Sequence, residues 1–321
     1  MRFRTEIEIN PFEPKVNYSS RVVTFGSCFA EVIGERLKRS KFNTVVNPFG
    51  AQFNPISIAQ SIGRIGAMEL ISTDQIEQGS DVLFHYDFHS MFNCSDREVM
   101  SNRINQTIAS SHHALREADW VILTLGTAYV YELKERCRIV ANCHKQHPKL
   151  FIRRRVSVDE IVDRLSQLIE NELSGKRVII TLSPIRHIAD GLAENSLSKA
   201  TLRVAIDELI SKYDKLHYFP AYEIMMDDLR DYRFYDNDML HISNMAKEYI
   251  WEHFCSTALS AESLRCMSQV EKIIQATEHR PRDPFSDGYK TFCQQQLKKI
   301  ESLKEVDLSI ETEYFKKRID G

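Results

Sequence analysis

The 321-residue sequence has no long apolar run and no excess of one charge. A transmembrane helix needs about 20 consecutive, mostly apolar residues, so no membrane span is predicted. Lysine and arginine total 42 against 45 aspartate and glutamate residues, which gives a net charge of −3. Nucleic acids and anionic membranes are bound mainly through clustered positive charge. We therefore expect neither as a partner.

Cysteine is also sparse, and its positions suggest no disulfide framework. The seven cysteines are scattered over the chain, at positions 28, 94, 137, 143, 255, 266 and 293. An odd number of dispersed thiols is typical of a reducing cytosol. The first nine residues alternate polar and apolar side chains and lack the apolar core of a signal peptide. They are interpreted as an edge strand, and the protein is expected to be cytoplasmic.

Short apolar segments alternate with amphipathic ones along residues 1–257. Five segments have the length and β-branched content of buried strands: residues 22–25, 43–46, 120–125, 178–182 and 216–219. This alternation predicts an α/β domain, with a parallel sheet covered by helices on both faces. Residues 258–321 show only helical patterns. They are predicted to form a C-terminal helical extension that packs on the domain or supports a homodimer.

Two parts of the domain depart from this alternation. An insertion is predicted at about residues 66–115; its aromatic-rich part, residues 73–105, is expected over the mouth of the site. A hairpin is predicted within residues 129–143. Three consecutive arginines, residues 153–155, are interpreted as a solvated turn before a helix.

The carboxyl ends of the predicted strands carry the candidate functional residues, because ligands of parallel sheets bind at that edge. The first strand ends in Gly26, Ser27 and Cys28, and helical spacing follows at once. A hydroxyl or thiol at such a turn is placed like a nucleophile elbow, near the positive end of a helix. The structural alternative is that Ser27 is only an N-cap and Cys28 a small buried residue.

A second candidate group lies near the end of the domain. Asp238 and His241 are three residues apart and share one face if this segment is a helical turn. A carboxylate beside an imidazole fixes its tautomer, as in a catalytic triad; a surface or capping role is the alternative. Arg186 and His187 follow the fourth strand and are predicted to line the same crevice. Arg186 would bind a substrate carboxylate or phosphate, or pair with a nearby acid.

No metal ion or cofactor is predicted. Two groups have ligand-type side chains: Cys137, Cys143, His144 and His147, and the triplet His85, Asp87 and His89. The first spacing is not that of a familiar structural zinc site. The triplet would share one face of a strand. A polar strand face is favoured there over a substrate or metal site.

Taken together, these blocks resemble the SGNH (GDSL-like) hydrolase superfamily, and Gly-Ser-Cys-Phe-Ala at residues 26–30 resembles the GSCFA family within it. The resemblance covers about residues 20–257. Gly50 matches the second-block glycine, residues 126–129 the third block, and residues 238–241 the final Asp-x-x-His block. It implies a three-layer α/β/α sandwich with a mainly parallel, flavodoxin-like five-stranded sheet.

The resemblance also implies roles for individual residues. Cys28 falls on the superfamily's nucleophilic serine, as a thiolate favoured by the helix N-terminus and by His241, which Asp238 orients. Ser27 falls on its aspartate and is the rival nucleophile. Ala128 replaces the asparagine that helps to hold the oxyanion. Oxyanion and substrate contacts are then expected from the backbone N–H groups of Cys28 and Gly50, and from Asn54, Gly126, Thr127, Tyr129, Arg186 and His187.

The leading hypothesis is an acyl-ester hydrolase that forms an acyl-enzyme with a small or carbohydrate-linked ester. An acyltransferase with the same triad and a thioester or ester donor is the first alternative. A catalytically inactive, ligand-binding member of the fold is the second.

Overall fold

The computed structural model describes residues 5–320, and its centre is a parallel sheet flanked by helices. Within these residues the strands are β1 (Arg21–Gly26), β2 (Asn43–Val46), β3 (Glu77–Gln78), β4 (Leu83–Phe84), β5 (Trp120–Leu125), β6 (Tyr129–Leu133), β7 (Arg138–Val140), β8 (Phe151–Arg155), β9 (Arg177–Leu182) and β10 (Leu216–Phe219). The helices are α1 (Cys28–Arg39), α2 (Pro55–Gly66), α3 (Arg97–Glu117), α4 (Val158–Glu170), α5 (Leu192–Lys212), α6 (Ala221–Glu223), α7 (Asn244–Ala258), α8 (Ala261–Glu278), α9 (Asp287–Glu301) and α10 (Ser309–Asp320).

Five strands form the central sheet in the spatial order β10-β9-β5-β1-β2, and all neighbouring pairs are parallel. Numbered along the chain, this is the flavodoxin-like order 2-1-3-4-5. The α/β prediction and its five-stranded sheet are therefore confirmed. The strand order reverses between β1 and β5, and such a switch point opens a crevice at the carboxyl edge of the sheet.

Alternating side chains of the strands enter two separate cores, one on each face of the sheet. Helices α2 to α5 cover one face, where residues such as Phe25 and Leu123 are buried. Helix α1 and helices α7 to α10 share the other core, with Trp120 and Ile179. The C-terminal helices thus pack against the same core as α1. At about 25 cal/mol per Å² of buried apolar surface, these two cores supply the main stabilisation of the fold.

Helix α1 shows how the sequence places one of these layers. Phe29, Ile33 and Leu37 are each about one turn apart and fully buried on the same face. Glu31 lies in the first turn and Arg36 in the last, as the helix dipole favours. The helix therefore begins directly at the end of β1 and packs back against the sheet.

Several local predictions require correction. Residues 5–9 form no strand; Ile7 and Ile9 pack partly on the core, but the backbone is not paired with the sheet, and residues 1–4 lie outside the described part. The insertion ends in the 21-residue helix α3, which begins at Arg97, within the part predicted to be aromatic-rich chain over the site. Few residues of α3 are buried and apolar, so its sequence gives only a weak helical periodicity of hydrophobic residues.

The predicted hairpin is confirmed as β6 and β7, but a third strand joins it. The three arginines belong to β8, which pairs antiparallel with β6. Arg154 binds Glu160 through two hydrogen bonds of 2.7 and 2.8 Å. This segment has the composition of a solvated turn. Pairing with residues elsewhere in the chain nevertheless stabilises it as a strand.

Candidate active site

The turn between β1 and α1 lies at the switch point of the sheet. Gly26 has φ +137°, and a Cβ there would lie 2.2 Å from the carbonyl oxygen of Thr124 on β5. Only glycine allows the two strands to approach so closely. The N–H of Ser27 then donates to the same carbonyl at 3.1 Å. Strand pairing thus continues into the turn and fixes the direction in which α1 begins.

Ser27 and Cys28 differ in accessibility at this turn. Ser27 is 1% exposed, and its hydroxyl accepts a hydrogen bond from the N–H of Phe29 at 3.4 Å, as an N-cap does. Cys28 is the first helical residue and is half-buried. The capping interpretation of Ser27 is therefore confirmed. Of the two rival nucleophiles, Cys28 is the more accessible.

The thiol of Cys28 does not have the low pKa expected of an activated thiolate. Burial raises its pKa, and the nearby carboxylate of Glu31 raises it further. Its own backbone N–H lowers the pKa, but less than burial raises it. The predicted stabilisation of a thiolate by the helix N-terminus is thus outweighed. A base must remove the proton when Cys28 reacts.

Asp238 and His241 form a hydrogen-bonded pair in a tight turn, not on a helical turn as predicted. Nδ1 of His241 lies 2.5 Å from Oδ2 of Asp238. The other carboxylate oxygen accepts the N–H groups of Leu240 and His241, each at 2.9 Å. These hydrogen bonds hold the pKa of Asp238 at about 2. Because Nδ1 faces the carboxylate, Nε2 of the half-exposed imidazole is left for proton transfer.

The predicted oxyanion donors on the loop after β2 are already in use. The N–H of Gly50 donates to the carbonyl of Asn47 at 2.7 Å. Asn54 caps α2: its Oδ1 accepts the N–H of Ser57 at 2.8 Å, and its amide nitrogen donates to the Ser57 hydroxyl. Both residues therefore stabilise the loop, and the N–H of Cys28 is the remaining backbone donor predicted at the turn.

The segment after β5 is similarly occupied. The N–H groups of Gly126 and Thr127 both donate to the carbonyl of Phe53, at 2.7 and 2.9 Å. The Thr127 hydroxyl bonds that of Ser198, and the Tyr129 hydroxyl donates to Glu194. The Ala128 methyl group is fully buried. A polar side chain at position 128 would thus lie in the core.

His187 lies against Gly126, at the carboxyl end of β5. Its Nε2 is 2.9 Å from the position of an ideal Cβ on Gly126, and this nitrogen has no hydrogen-bond partner within residues 5–320. Burial, followed by the charge of Lys199 and by His241, lowers the pKa of His187 to about 4. The ring is therefore neutral at pH 7 and carries one N–H.

Lys199 is a functional candidate that the sequence did not indicate. Its side chain is 2% exposed, and Nζ donates to the carbonyls of Gly126 and Ser183, both at 2.7 Å. It thereby joins the carboxyl ends of β5 and β9 beneath His187. Burial lowers its pKa to about 7. A lysine within a helix normally faces solvent, so its position in the sequence does not indicate this burial.

Residues from both groups considered for metal binding make other contacts. Among residues 5–320 no three histidine, cysteine, aspartate or glutamate side chains are arranged to hold a metal ion. Nε2 of His144 instead contacts the backbone carbonyls of His85 and Phe88. The strand on which the triplet would share one face does not extend to it, because β4 ends at Phe84. His85 is buried, and Asp87 pairs with Arg64 and Arg138.

Comparison with known families decides the relationship. The model of the GSCFA family matches residues 21–254. This chain belongs to the GSCFA family. A second model, described as the C-terminal domain of GSCFA domain proteins, matches residues 270–321. No curated protein matches the sequence significantly.

The two GSCFA matches correspond to the sheet domain and to most of the C-terminal helices. The predicted boundary at residue 257 lies between them but stays a prediction, because both parts share one core. None of the helices in the described part is long and apolar enough to cross a membrane.

The candidate residues meet at one edge of the sheet in this GSCFA protein. Cys28 follows β1, and Gly126 follows the neighbouring β5. His187 follows β9 and contacts Gly126. The N–H of Arg186 donates to the carbonyl of Leu240 at 3.2 Å, which joins the Asp238–His241 turn to the same edge.

Proposed function

We propose that this protein is an acyl-ester hydrolase that forms an acyl-enzyme at Cys28, with His241 as base and Asp238 orienting it. The proposal includes membership of the SGNH superfamily and a cytoplasmic location, where thiols stay reduced. The observation that carries it is the accessible Cys28 at the switch point, on the sheet edge where His241 is held by Asp238.

In this reaction Nε2 of His241 takes the proton from the Cys28 thiol as sulfur attacks the ester carbonyl. The imidazolium then gives that proton to the leaving alkoxide, which departs as an alcohol. Water, deprotonated by the same nitrogen, attacks the thioester and releases the acid and the thiol. The raised pKa of Cys28 makes this proton transfer necessary at neutral pH.

Two donors are available for the oxyanion in this proposal. One is the N–H of Cys28, at the positive end of α1. The second is His187, whose neutral ring offers an N–H beside Gly126, as superfamily members offer an asparagine amide. A neutral imidazole can stabilise a developing oxyanion by donating a hydrogen bond from its single N–H.

The proposal is tested by trapping the acyl-enzyme. The purified protein is mixed with 4-nitrophenyl acetate, and the adduct is measured by intact mass in wild type and in Cys28→Ala, Ser27→Ala and His241→Ala. We expect acylation to be lost in Cys28→Ala and His241→Ala and kept in Ser27→Ala. Loss in Ser27→Ala with retention in Cys28→Ala would instead assign the nucleophile to Ser27. Product analysis with and without added alcohols separates hydrolysis from transfer.

A ligand-binding role without catalysis is the second candidate. It is favoured by the raised pKa of Cys28 and by the hydrogen bond that occupies the N–H of Gly50. On this hypothesis wild type forms no adduct with any ester, while small molecules still bind at the crevice. Binding that persists in Cys28→Ala, with no turnover in wild type, would establish this alternative.

A further inference from the structure

A small pocket of about 140 Å³ lies next to the Asp238–His241 turn. Met225 and Met226 supply apolar surface, which we call the methionine wall. The rest of the lining is aromatic or charged: Tyr232, Tyr235, Arg186, Arg230 and Asp231. The pocket is large enough for a short carbon chain with one charged group. Its lining offers apolar surface for the chain and polar groups for the charge.

The guanidinium of Arg186 is held by aromatic rings and has no carboxylate partner within residues 5–320. Its central carbon lies 3.9 Å from the ring centroid of Tyr235 and 5.2 Å from that of Tyr232. Nη1 donates to the carbonyl of Met239 at 3.4 Å. A guanidinium stays protonated at all physiological pH values. Stacking thus orients the cation and leaves donors available for an anion.

The other arginines around this pocket are already neutralised. Arg230 pairs with Asp227 at 2.6 Å, and Arg233 pairs with Asp231 at 3.6 Å. Within residues 5–320, Arg186 is therefore the arginine of this lining that has no carboxylate partner, whereas the Asp231 carboxylate in the lining is paired with Arg233. A carboxylate or phosphate of a ligand would form a charge-assisted hydrogen bond with it, and such bonds are about twice as strong as neutral ones.

The backbone fixes this cation relative to the proposed base. Arg186 bonds Leu240 through its N–H and Met239 through Nη1. Both partners lie inside the turn that carries Asp238 and His241. A ligand held by Arg186 is thus held against the same turn as the imidazole.

We propose that the Arg186 pocket binds a compact anionic group of the substrate, a carboxylate or phosphate, so that the natural ester is anionic. The methionine wall contacts the carbons next to this group, and the reacting carbonyl extends toward His241. The ester part of this inference rests on the proposed hydrolase function. Anion binding at Arg186 does not.

Binding is tested first, without any reaction. Full-length protein with 13C-labelled methionine methyl groups is titrated with succinate, inorganic phosphate and neutral succinamide, and the Met225 and Met226 signals are followed. We expect saturable shifts with an anion and none with succinamide; the tighter anion identifies the group. Arg186→Gln should weaken this binding about tenfold. Arg21→Gln, which removes one charge at the opposite edge of the sheet, should not.

Absence of an anion-dependent shift, or equal weakening in Arg186→Gln and Arg21→Gln, would overturn the assignment. Turnover is then compared for a 4-nitrophenyl ester that carries the tighter anion and for its neutral amide analogue. We expect about a tenfold preference for the anionic ester in kcat/KM, lost in Arg186→Gln. Hydrolysis without this preference would contradict the proposal of an anionic substrate but would support the proposed hydrolase function. Anion binding without hydrolysis of either ester rejects the hydrolase and keeps the anion site.

Discussion

Two aspartate–histidine pairs in this protein use the same side chains to different effect. The inner pair, His85 and Asp87, lies in the insertion; the outer pair is Asp238 and His241. In the inner pair Nδ1 of His85 is 4.0 Å from the carboxylate of Asp87 and accepts the Asp87 N–H instead. In the outer pair the imidazole and carboxylate are 2.5 Å apart.

The partners of each carboxylate explain the difference. Two arginines, Arg64 and Arg138, bind Asp87, so it has little remaining capacity to orient a histidine. Within residues 5–320, Asp238 accepts only N–H groups of its own turn and of the His241 ring. Burial completes the contrast, because His85 is 4% exposed and the His241 side chain 49%. In this protein, only the outer pair thus combines a carboxylate free of arginine partners within residues 5–320 with an accessible imidazole, as the proposed proton transfer requires.

The largest effect is expected from Asp238→Asn in the outer pair. The amide can leave His241 in the wrong tautomer, so acylation of Cys28 should slow about 10³–10⁴-fold. The free energy of unfolding should change little, because both side chains are half-exposed. Intact-mass kinetics and urea unfolding measure the two quantities. A large loss of stability with normal acylation would reverse the assignment of this pair.

The same substitution in the inner pair, Asp87→Asn, should give the opposite result. It leaves Arg64 and Arg138, both partly buried, without their shared counter-charge. We expect a loss of about 3–4 kcal/mol in the free energy of unfolding, from urea denaturation. Acylation should be near the wild-type rate at temperatures where the variant is folded. Asp238→Asn is the matched control for stability.

The pH dependence of stability should also distinguish the inner pair from the outer pair. Burial lowers the pKa of His85 to about 4, so His85 stays neutral in the folded protein while an unfolded chain takes up a proton at about 6.5. Stability from this residue is complete above pH 6.5 and is lost as the pH falls toward 4, by about 3 kcal/mol. His85→Gln should flatten that part of the curve of unfolding free energy against pH. An unchanged slope would contradict the burial argument.

The smallest effect is expected from Ser27→Ala at the turn that begins α1, with Cys28→Ala as the comparison variant. Ser27→Ala removes the N-cap of α1 and should cost about 1 kcal/mol of stability, with acylation retained. Cys28→Ala keeps the cap and should abolish acylation without a comparable loss of stability. Urea unfolding and intact mass on both variants give the two readouts, and an exchange of these results would identify Ser27 as the nucleophile.

The central sheet was predictable because each strand can be identified from consecutive residues of the sequence. Strands such as β5 and β9 are continuous β-branched runs between turns, and their carboxyl ends can be placed without knowing their neighbours. The Gly26 turn and the Asp238–His241 spacing could likewise be located from the order of strands and helices along the chain. In α3, buried residues recur about once per turn among many polar ones, so the amphipathic signal is weak.

What the sequence could not indicate depends on partners distant along the chain. The burial of Lys199 requires two carbonyls, on Gly126 and Ser183, which only the assembled sheet brings together. Likewise, the occupied N–H of Gly50 and the raised pKa of Cys28 depend on neighbours that no spacing rule identifies. The motif located the site, and packing determined which of its atoms remain available.

The bonding of Lys199 has a consequence for the fate of an acyl group on Cys28. A thioester is attacked readily by an accessible unprotonated amine, and the product amide would trap the acyl group on the protein. Lys199 has a pKa of about 7, yet its amine is enclosed and donates to two carbonyls. The lysine at this edge of the sheet is therefore withheld as an acceptor. In the proposed reaction, turnover of the acyl-enzyme is then left to water or to another small molecule that enters the crevice.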